Sequence, residues 1–367
     1  MQTLNVFRSA AMAALASSSF LTACGGGGGD TAASSAPSTG VRENYAQVLD
    51  VPASTYAANG GEAAVYARLN EMRLDTNAGA LTQASLLDTA AARHLTYLTA
   101  NYPYIGDNES TDKASFYGAT VSARAQLAGY AGTVLEMVGS DTGPTATPQT
   151  CVNSLLNAPY AANVLLQPWR DVGLAYGVVH AVAAGSSSAS SAASTAATPA
   201  TTTTDVQEVA CVVVLGIAQG KSGQLPDAGT LKTYPWPDQS EVPFSFGPAA
   251  AGFNPAPDLQ NAQGAPVQVS MDDFGALAQS SFSVSSFTLT DIDGQTVPTR
   301  LIVNSATKVA DNTTFYVDPT GALPSSDVLL LPLSPLLPDH VYTIQFTGSN
   351  GATHYDQSWS FTTSASD

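Results

Sequence analysis

Charge is scarce in this chain. Of its 367 residues only 11% are Asp, Glu, Lys or Arg, less than half the roughly 25% usual in globular proteins. Positive charge is scarcest: 12 Lys and Arg stand against 29 Asp and Glu, a formal net charge of −17. A chain so poor in cations lacks the basic footprint that grips phosphate backbones, which argues against a nucleic-acid partner. The same deficit argues against electrostatic attachment to anionic lipid, so any membrane attachment has to be covalent or hydrophobic. No apolar run after the N-terminal region is long enough to span a bilayer. Cysteine and histidine are also rare, at three and four residues. No C-x-x-C, H-E-x-x-H or G-x-S-x-G occurs, which removes common thiol, zinc and serine-hydrolase signatures. What is abundant is apolar: 44% of residues are hydrophobic, and the length allows two to three domains with a sizeable core.

The N-terminus begins with a short positive region at Arg8, then a small apolar stretch over 9–20 that is too short for a membrane span. Leu21-Thr22-Ala23-Cys24 follows and resembles the lipobox of bacterial lipoproteins. That resemblance implies a signal peptide over 1–23, cleavage, and lipidation of Cys24. Each buried acyl CH₂ contributes about 0.8 kcal/mol, so the acyl chains would hold the protein on a lipid membrane. Gly25 rather than Asp follows Cys24; in lipoproteins of two-membrane bacteria this implies the outer membrane, on its periplasmic face or the cell surface. Residues 24–60, opening on a run of glycines, read as a flexible tether. With Cys24 lipidated, Cys151 and Cys211 remain as an even pair in an oxidising compartment, and a disulfide is expected; two buried free thiols are the alternative.

Helical periodicity runs over 62–73, 86–99, 121–128 and 152–156, with Ser85 expected to cap the second helix and Pro159 to stop the fourth. On the second, Leu87, Ala91, His94 and Leu98 share one face, so His94 is expected as a satisfied core histidine. Residues 173–179 and 210–217 read as strands, the latter nearly all apolar and so buried on both faces. Between them 185–204 is almost wholly Ser, Ala and Thr, expected as a disordered hairpin loop. A Pro/Gly-rich segment over 221–257 reads as a linker or extended bridge. From 258 to 367 the pattern turns to short alternating strands, including 282–290 before the turn signal Asp291-Ile292-Asp293-Gly294.

Residues 61–220 resemble the CAP superfamily (cysteine-rich secretory, antigen 5, pathogenesis-related 1) in a bacterial subgroup. The resemblance rests on an ordered set: Leu69-Asn70-Glu71-Met72-Arg73, Leu81, Ala90-Ala91-Ala92-Arg93-His94, Phe116-Tyr117-Gly118, Arg124, Gly129-Tyr130, Glu136, Ala158-Pro159-Tyr160 and Asp171-Val172-Gly173. Residues 258–367 are similar to bacterial Ig-like domains through Pro332-Leu333-Ser334-Pro335-Leu336, Tyr342, Gly351 and Trp359-Ser360-Phe361-Thr362-Thr363. Together these imply an α+β chain, a CAP-type α-β-α sandwich followed by an all-β Ig-like sandwich.

The CAP resemblance also implies a cleft lined by two His and two acids that can bind a divalent metal. Here Asp107-Asn108-Glu109 stands where the family pattern carries a His, and Ala161 follows Pro159-Tyr160 where the second would be. The candidate cleft is therefore Glu109, Glu136, Tyr160 and Ala161, with no metal ligand set, no cofactor and no catalytic residue assigned. The expected function is non-catalytic binding of a small apolar ligand, a peptide or an envelope partner. Two alternatives remain: a hydrolase or protease using Glu136 with Glu109, since paired carboxylates can do acid/base work, and an adhesin or spacer acting through the Ig-like half. Oligomeric state is left open.

Overall fold

The computed structural model describes residues 45–143, 146–156, 159–182, 206–226, 229–246, 254–271, 282–351 and 353–365. Among the described residues are five helices and three open, mostly antiparallel sheets, so the chain is mixed α+β. Residues 1–23, Cys24, most of the expected tether and the 185–204 loop lie outside the described residues.

The N-terminal half contains helices α1 (Gly61–Asp75), α2 (Ser85–Ala100), α3 (Val121–Leu127), α4 (Pro148–Leu156) and α5 (Pro159–Leu165). Its strands are β1 (Thr82–Gln83), β2 (Gly132–Thr142), β3 (Asp171–Val182) and β4 (Val206–Ala218), in the order β1-β3-β4-β2. The central β4 explains the layering. Its Cys211, Val213 and Leu215 pack with α1, α4 and α5, while Ala210, Val212 and Val214 pack with α2 and α3. Side chains alternate across a strand, so a strand covered by helices on both faces must be apolar at every position. β2 pairs with β4 over its whole length, Gly132 opposite Ala218 to Thr142 opposite Glu208. Cys151 and Cys211 form a disulfide that ties α4 to β4.

Two local expectations need correction. Ser85 does not cap α2; Ala84 holds that position in extended conformation with no side-chain cap. Its N–H donates to the Val172 carbonyl, so the chain enters the helix from a ladder with β3. Pro159 does not merely stop α4 but begins α5, where its fixed φ and missing N–H cost nothing.

The C-terminal half has two five-stranded sheets. One is ordered β10 (Lys308–Val309), β8 (Phe282–Asp291), β13 (Val341–Asn350), β14 (Thr353–Thr363), β6 (Gln239–Val242). The other is β11 (Phe315–Val317), β9 (Thr299–Val303), β12 (Asp327–Pro332), β7 (Val267–Ser270), β5 (Lys232–Tyr234). Val267, Leu301 and Leu330 of one sheet share a core with Ile344, Phe346 and Phe361 of the other. The Asp291 carboxylate accepts the N–H groups of Asp293 and Gln295, closing a turn as the sequence suggested. The segment 221–257, expected as a linker, supplies β5 to one sheet and β6 to the other. Its Tyr234 and Trp236 join the core of the N-terminal half.

Candidate functional site

Four segments of the N-terminal half bring one charged or polar side chain each to a common buried point. α2 contributes His94 from its apolar face. α3, whose N-cap Thr120 accepts the Ala123 N–H, contributes Arg124. β2 contributes Glu136, and the connection between α2 and α3 contributes Glu109. All four side chains are fully buried.

His94 Nδ1 lies 2.9 Å from Glu109 Oε1, and Nε2 lies 2.8 Å from the Gly106 carbonyl. Both ring nitrogens thus face acceptors, so the His94–Glu109 contact holds a proton between its two members. Burial, then the Arg124 charge, push His94 below the ordinary histidine range, with Glu109 and the Gly106 carbonyl opposing. Glu109 Oε2 accepts the N–H groups of Tyr117 at 2.6 Å and Gly118 at 3.1 Å. The Arg124 guanidinium donates from Nη1 to the Gly118 carbonyl and from Nη2 to the Asp107 carbonyl, both at 2.8 Å. Nη2 also pairs with Glu136 Oε1, and Nε lies 3.8 Å from Glu109 Oε1. Glu136 Oε1 is 3.5 Å from His94 Nε2. Burial pushes the Glu136 carboxyl up to about 8; Arg124 pulls it down, while Asp107 and Glu109 push it further up. Two atoms of the cluster, Glu136 Oε2 and Arg124 Nε, are buried without hydrogen-bond partners.

Beside the cluster lies a surface cavity of about 540 Å³, lined by Tyr97, Asn101, Pro103, Tyr104, Asn108 and Glu109 among others. Glu109 is thus common to cavity and cluster. Tyr97 and Tyr104 pack edge to face, centroids 6.2 Å apart. Both are tethered: the Tyr97 hydroxyl accepts the Ser110 N–H, and the Tyr104 hydroxyl donates to the Asn108 carbonyl.

Of the residues expected in the cleft, Glu109 and Glu136 come together and Tyr160 and Ala161 do not join them. Glu136 lies opposite Val214 and so shares the face covered by α2 and α3. Tyr160 and Ala161 sit on α5, whose Ala162 and Leu165 pack on the other face. The Tyr160 hydroxyl donates instead to Asp318 in the C-terminal half, at 2.5 Å. His94 is a satisfied buried histidine, as its helical face implied, but its satisfaction comes from a candidate carboxylate. Arg124, read from the sequence only as a motif residue, proves central to the cluster; its place two turns of chain before β2 gave no sign of this.

The metal that the CAP resemblance implies does not fit this arrangement. The guanidinium already lies against both carboxylates, and among the described residues no three His, Cys, Asp or Glu side chains are disposed to hold an ion together. Compared with known proteins, the chain matches no family model, no curated protein and no solved structure.

Proposed function

We propose that this is an exported, lipid-anchored CAP-type protein of the outer membrane that binds a small apolar ligand or peptide without transforming it. Helices on both faces of a four-stranded sheet support the CAP-type reading of the first half, and two sheets sharing one core support an Ig-like reading of the second. The observation that carries the binding reading is the engagement of Glu109. Both its oxygens are committed to His94, Tyr117 and Gly118, so the buried Glu109 carboxylate fastens from behind the segment 108–110 that lines the cavity. The aromatic and proline surfaces beside it offer apolar contact with a few polar groups for orientation, the usual make-up of a small-molecule site. Mass spectrometry of organic extracts of the purified protein tests this. A stoichiometric small molecule, lost when Tyr104→Ala removes a wall of the cavity, supports the reading; a clean extract, with no peptide bound either, refutes it.

One observation favours hydrolysis as a rival: a carboxyl raised to about 8 near a cavity is the kind of group that acts as a general acid or base. Peptide turnover abolished by Glu136→Gln would decide for that rival.

A further inference from the structure

We infer that the protein pairs with a second copy of itself edge to edge, β2 antiparallel to β2, so that the four-stranded sheets of two protomers join across a two-fold axis. This stands apart from the ligand-binding reading, since it concerns the rim of the sheet rather than the cavity.

An open sheet edge presents a row of N–H and C=O groups that can pair with another chain. Proteins blunt such edges by keeping them short or by adding lysine, proline or a bulge. The three sheets have six edge strands. β1 and β10 have two residues each, β5 and β11 three, and β6 four. β2 has eleven, from Gly132 to Thr142, with no Lys, Arg or Pro among them. Its register with β4 runs without a shift, so no bulge interrupts it either.

The ladder fixes which groups of β2 face outward. The Gln219 N–H donates to the Ala131 carbonyl, and the Gly143 N–H to the Gln207 carbonyl. Both bonds continue the register of β2 with β4, so the odd-numbered residues of β2 are the ones bonded to β4. In an antiparallel ladder the residues between them turn their groups to the other side. Val134, Glu136, Val138 and Ser140 therefore point N–H and C=O groups outward, and among the described residues nothing hydrogen-bonds to them. Their side chains do not oppose pairing. The Glu136 carboxylate is turned into the buried cluster, and Val134, Leu135, Met137 and Val138 are only partly buried, leaving apolar surface for a neighbouring strand to cover.

The two ends of the edge select the occupant. Lys221 lines a cavity with Gly132 and Thr133 at one end, and Asp141 stands at the other. A two-fold axis through Met137 pairs the whole of both strands, with Val134 opposite Ser140 of the partner subunit and Glu136 opposite Val138 of the partner subunit. It also brings the Lys221 end of each protomer to the Asp141 end of the other. Opposite charges then meet at both ends, whereas a parallel pairing would bring like ends together. The net charge of −17 on each copy opposes approach, but salt screens exposed charges beyond about 8 Å at physiological ionic strength.

The test is sedimentation velocity of the full chain in detergent, over a range of protein concentrations at physiological salt. The wild type is expected to form a dimer. Ser140→Pro removes an outward N–H and no bond to β4, at the kind of edge position where a strand tolerates proline. It should weaken the dimer about 10-fold or more, as loss of paired hydrogen bonds implies, with the far-ultraviolet circular dichroism unchanged. Lys221→Glu should weaken the dimer as well, and adding Asp141→Lys to it should restore pairing, which only antiparallel contact of these ends allows. The charge variants carry the test if Ser140→Pro does not fold. A wild type that stays monomeric overturns the inference. So does a dimer indifferent to a folded Ser140→Pro, which would place the contact elsewhere, or one that Lys221→Glu leaves intact or Asp141→Lys fails to repair.

Discussion

At the scale of single residues, two of the chain's few arginines do their work inside. Arg73 and Arg124 are both wholly buried. Arg73 uses all its N–H groups on main-chain carbonyls: Nε on Gly79, Nη1 on Leu165 and Gln167, Nη2 on Ala78 and Trp169. It thereby fastens the end of α1 to the turn between α5 and β3, and burial lowers its pKa to about 9. Lysine has three donors on a flexible stem and cannot reproduce this fork. Arg73→Lys is therefore expected to cost about 2–4 kcal/mol, the range for breaking a buried charged network, measured by urea unfolding. A loss within 0.5 kcal/mol would show that the carbonyls find other donors. Burial of these residues was legible in part. The helical spacing over 62–73 said nothing of Arg73 itself, whereas His94 lay on an apolar stripe. What the spacing could not show was partnership, because His94, Glu109, Arg124 and Glu136 meet only once α2, α3 and β2 are assembled. The family motif paired Tyr160 with the cleft by adjacency in sequence, yet its partner Asp318 lies 158 residues further along.

Among elements, the contact of α2 with β3 sets the geometry of the site, since α2 carries His94. A Cβ at Gly173 would lie 2.0 Å from the Leu87 carbonyl carbon and 2.3 Å from the Asp88 nitrogen. These are backbone atoms of the first turn of the helix, which cannot swing aside as a side chain can. Gly173→Ala should therefore lift α2 from the sheet and cost about 3 kcal/mol or more, at the upper end for overpacking. Thermal melts give the loss, and the near-ultraviolet signal of Tyr97 and its neighbours should weaken with it. An unchanged Tm would mean that helix and strand do not meet this closely. Helices α1 to α4 and β4 were readable because each has a periodicity that survives assembly, whereas α5 was missed behind Pro159. β2 was not, because one of its faces carries Glu136 among valines, and a charge inside a strand hides the alternation until the cation opposite it is known. The start of α2 misled for a related reason: Ser85 looks like a cap in isolation, whereas Ala84 is held by β3 from outside the helix.

For the whole molecule, two contacts bind α5 to the C-terminal sheets: Tyr160 donates to Asp318, and Asn163 donates to Asp327. Burial pushes Asp318 up, but the Tyr160 hydroxyl, the Leu323 and Thr320 N–H groups and the Thr320 hydroxyl together hold it below the ordinary aspartate range. A carboxyl with a depressed folded pKa stabilises above its unfolded value of about 3.9 and loses that contribution as pH falls below it. The wild type is thus expected to lose more Tm than Asp318→Asn between pH 5 and pH 3. Equal losses would assign acid sensitivity elsewhere. Anchoring is also a whole-chain property. Among the described residues no helix is long and apolar enough to cross a membrane, and the proposed attachment rests on Cys24. Cys24→Ser should move the protein from the detergent to the aqueous phase on partitioning; retention in detergent would remove the lipoprotein reading.

The placing of β5 and β6 has a consequence for how the protein can be cut. These strands form the outer edges of two different sheets, while Tyr234 and Trp236 between them are plugged into the core of the other half. Trp359, far along in β14, donates to the Pro235 carbonyl of the same stretch at 2.8 Å. Among the described residues the two halves are therefore joined through this stretch, which both of them hold. A protease nick ahead of β5 would leave the downstream fragment still seated in the upstream one, and the pair would travel as a single particle until denaturant pulled them apart.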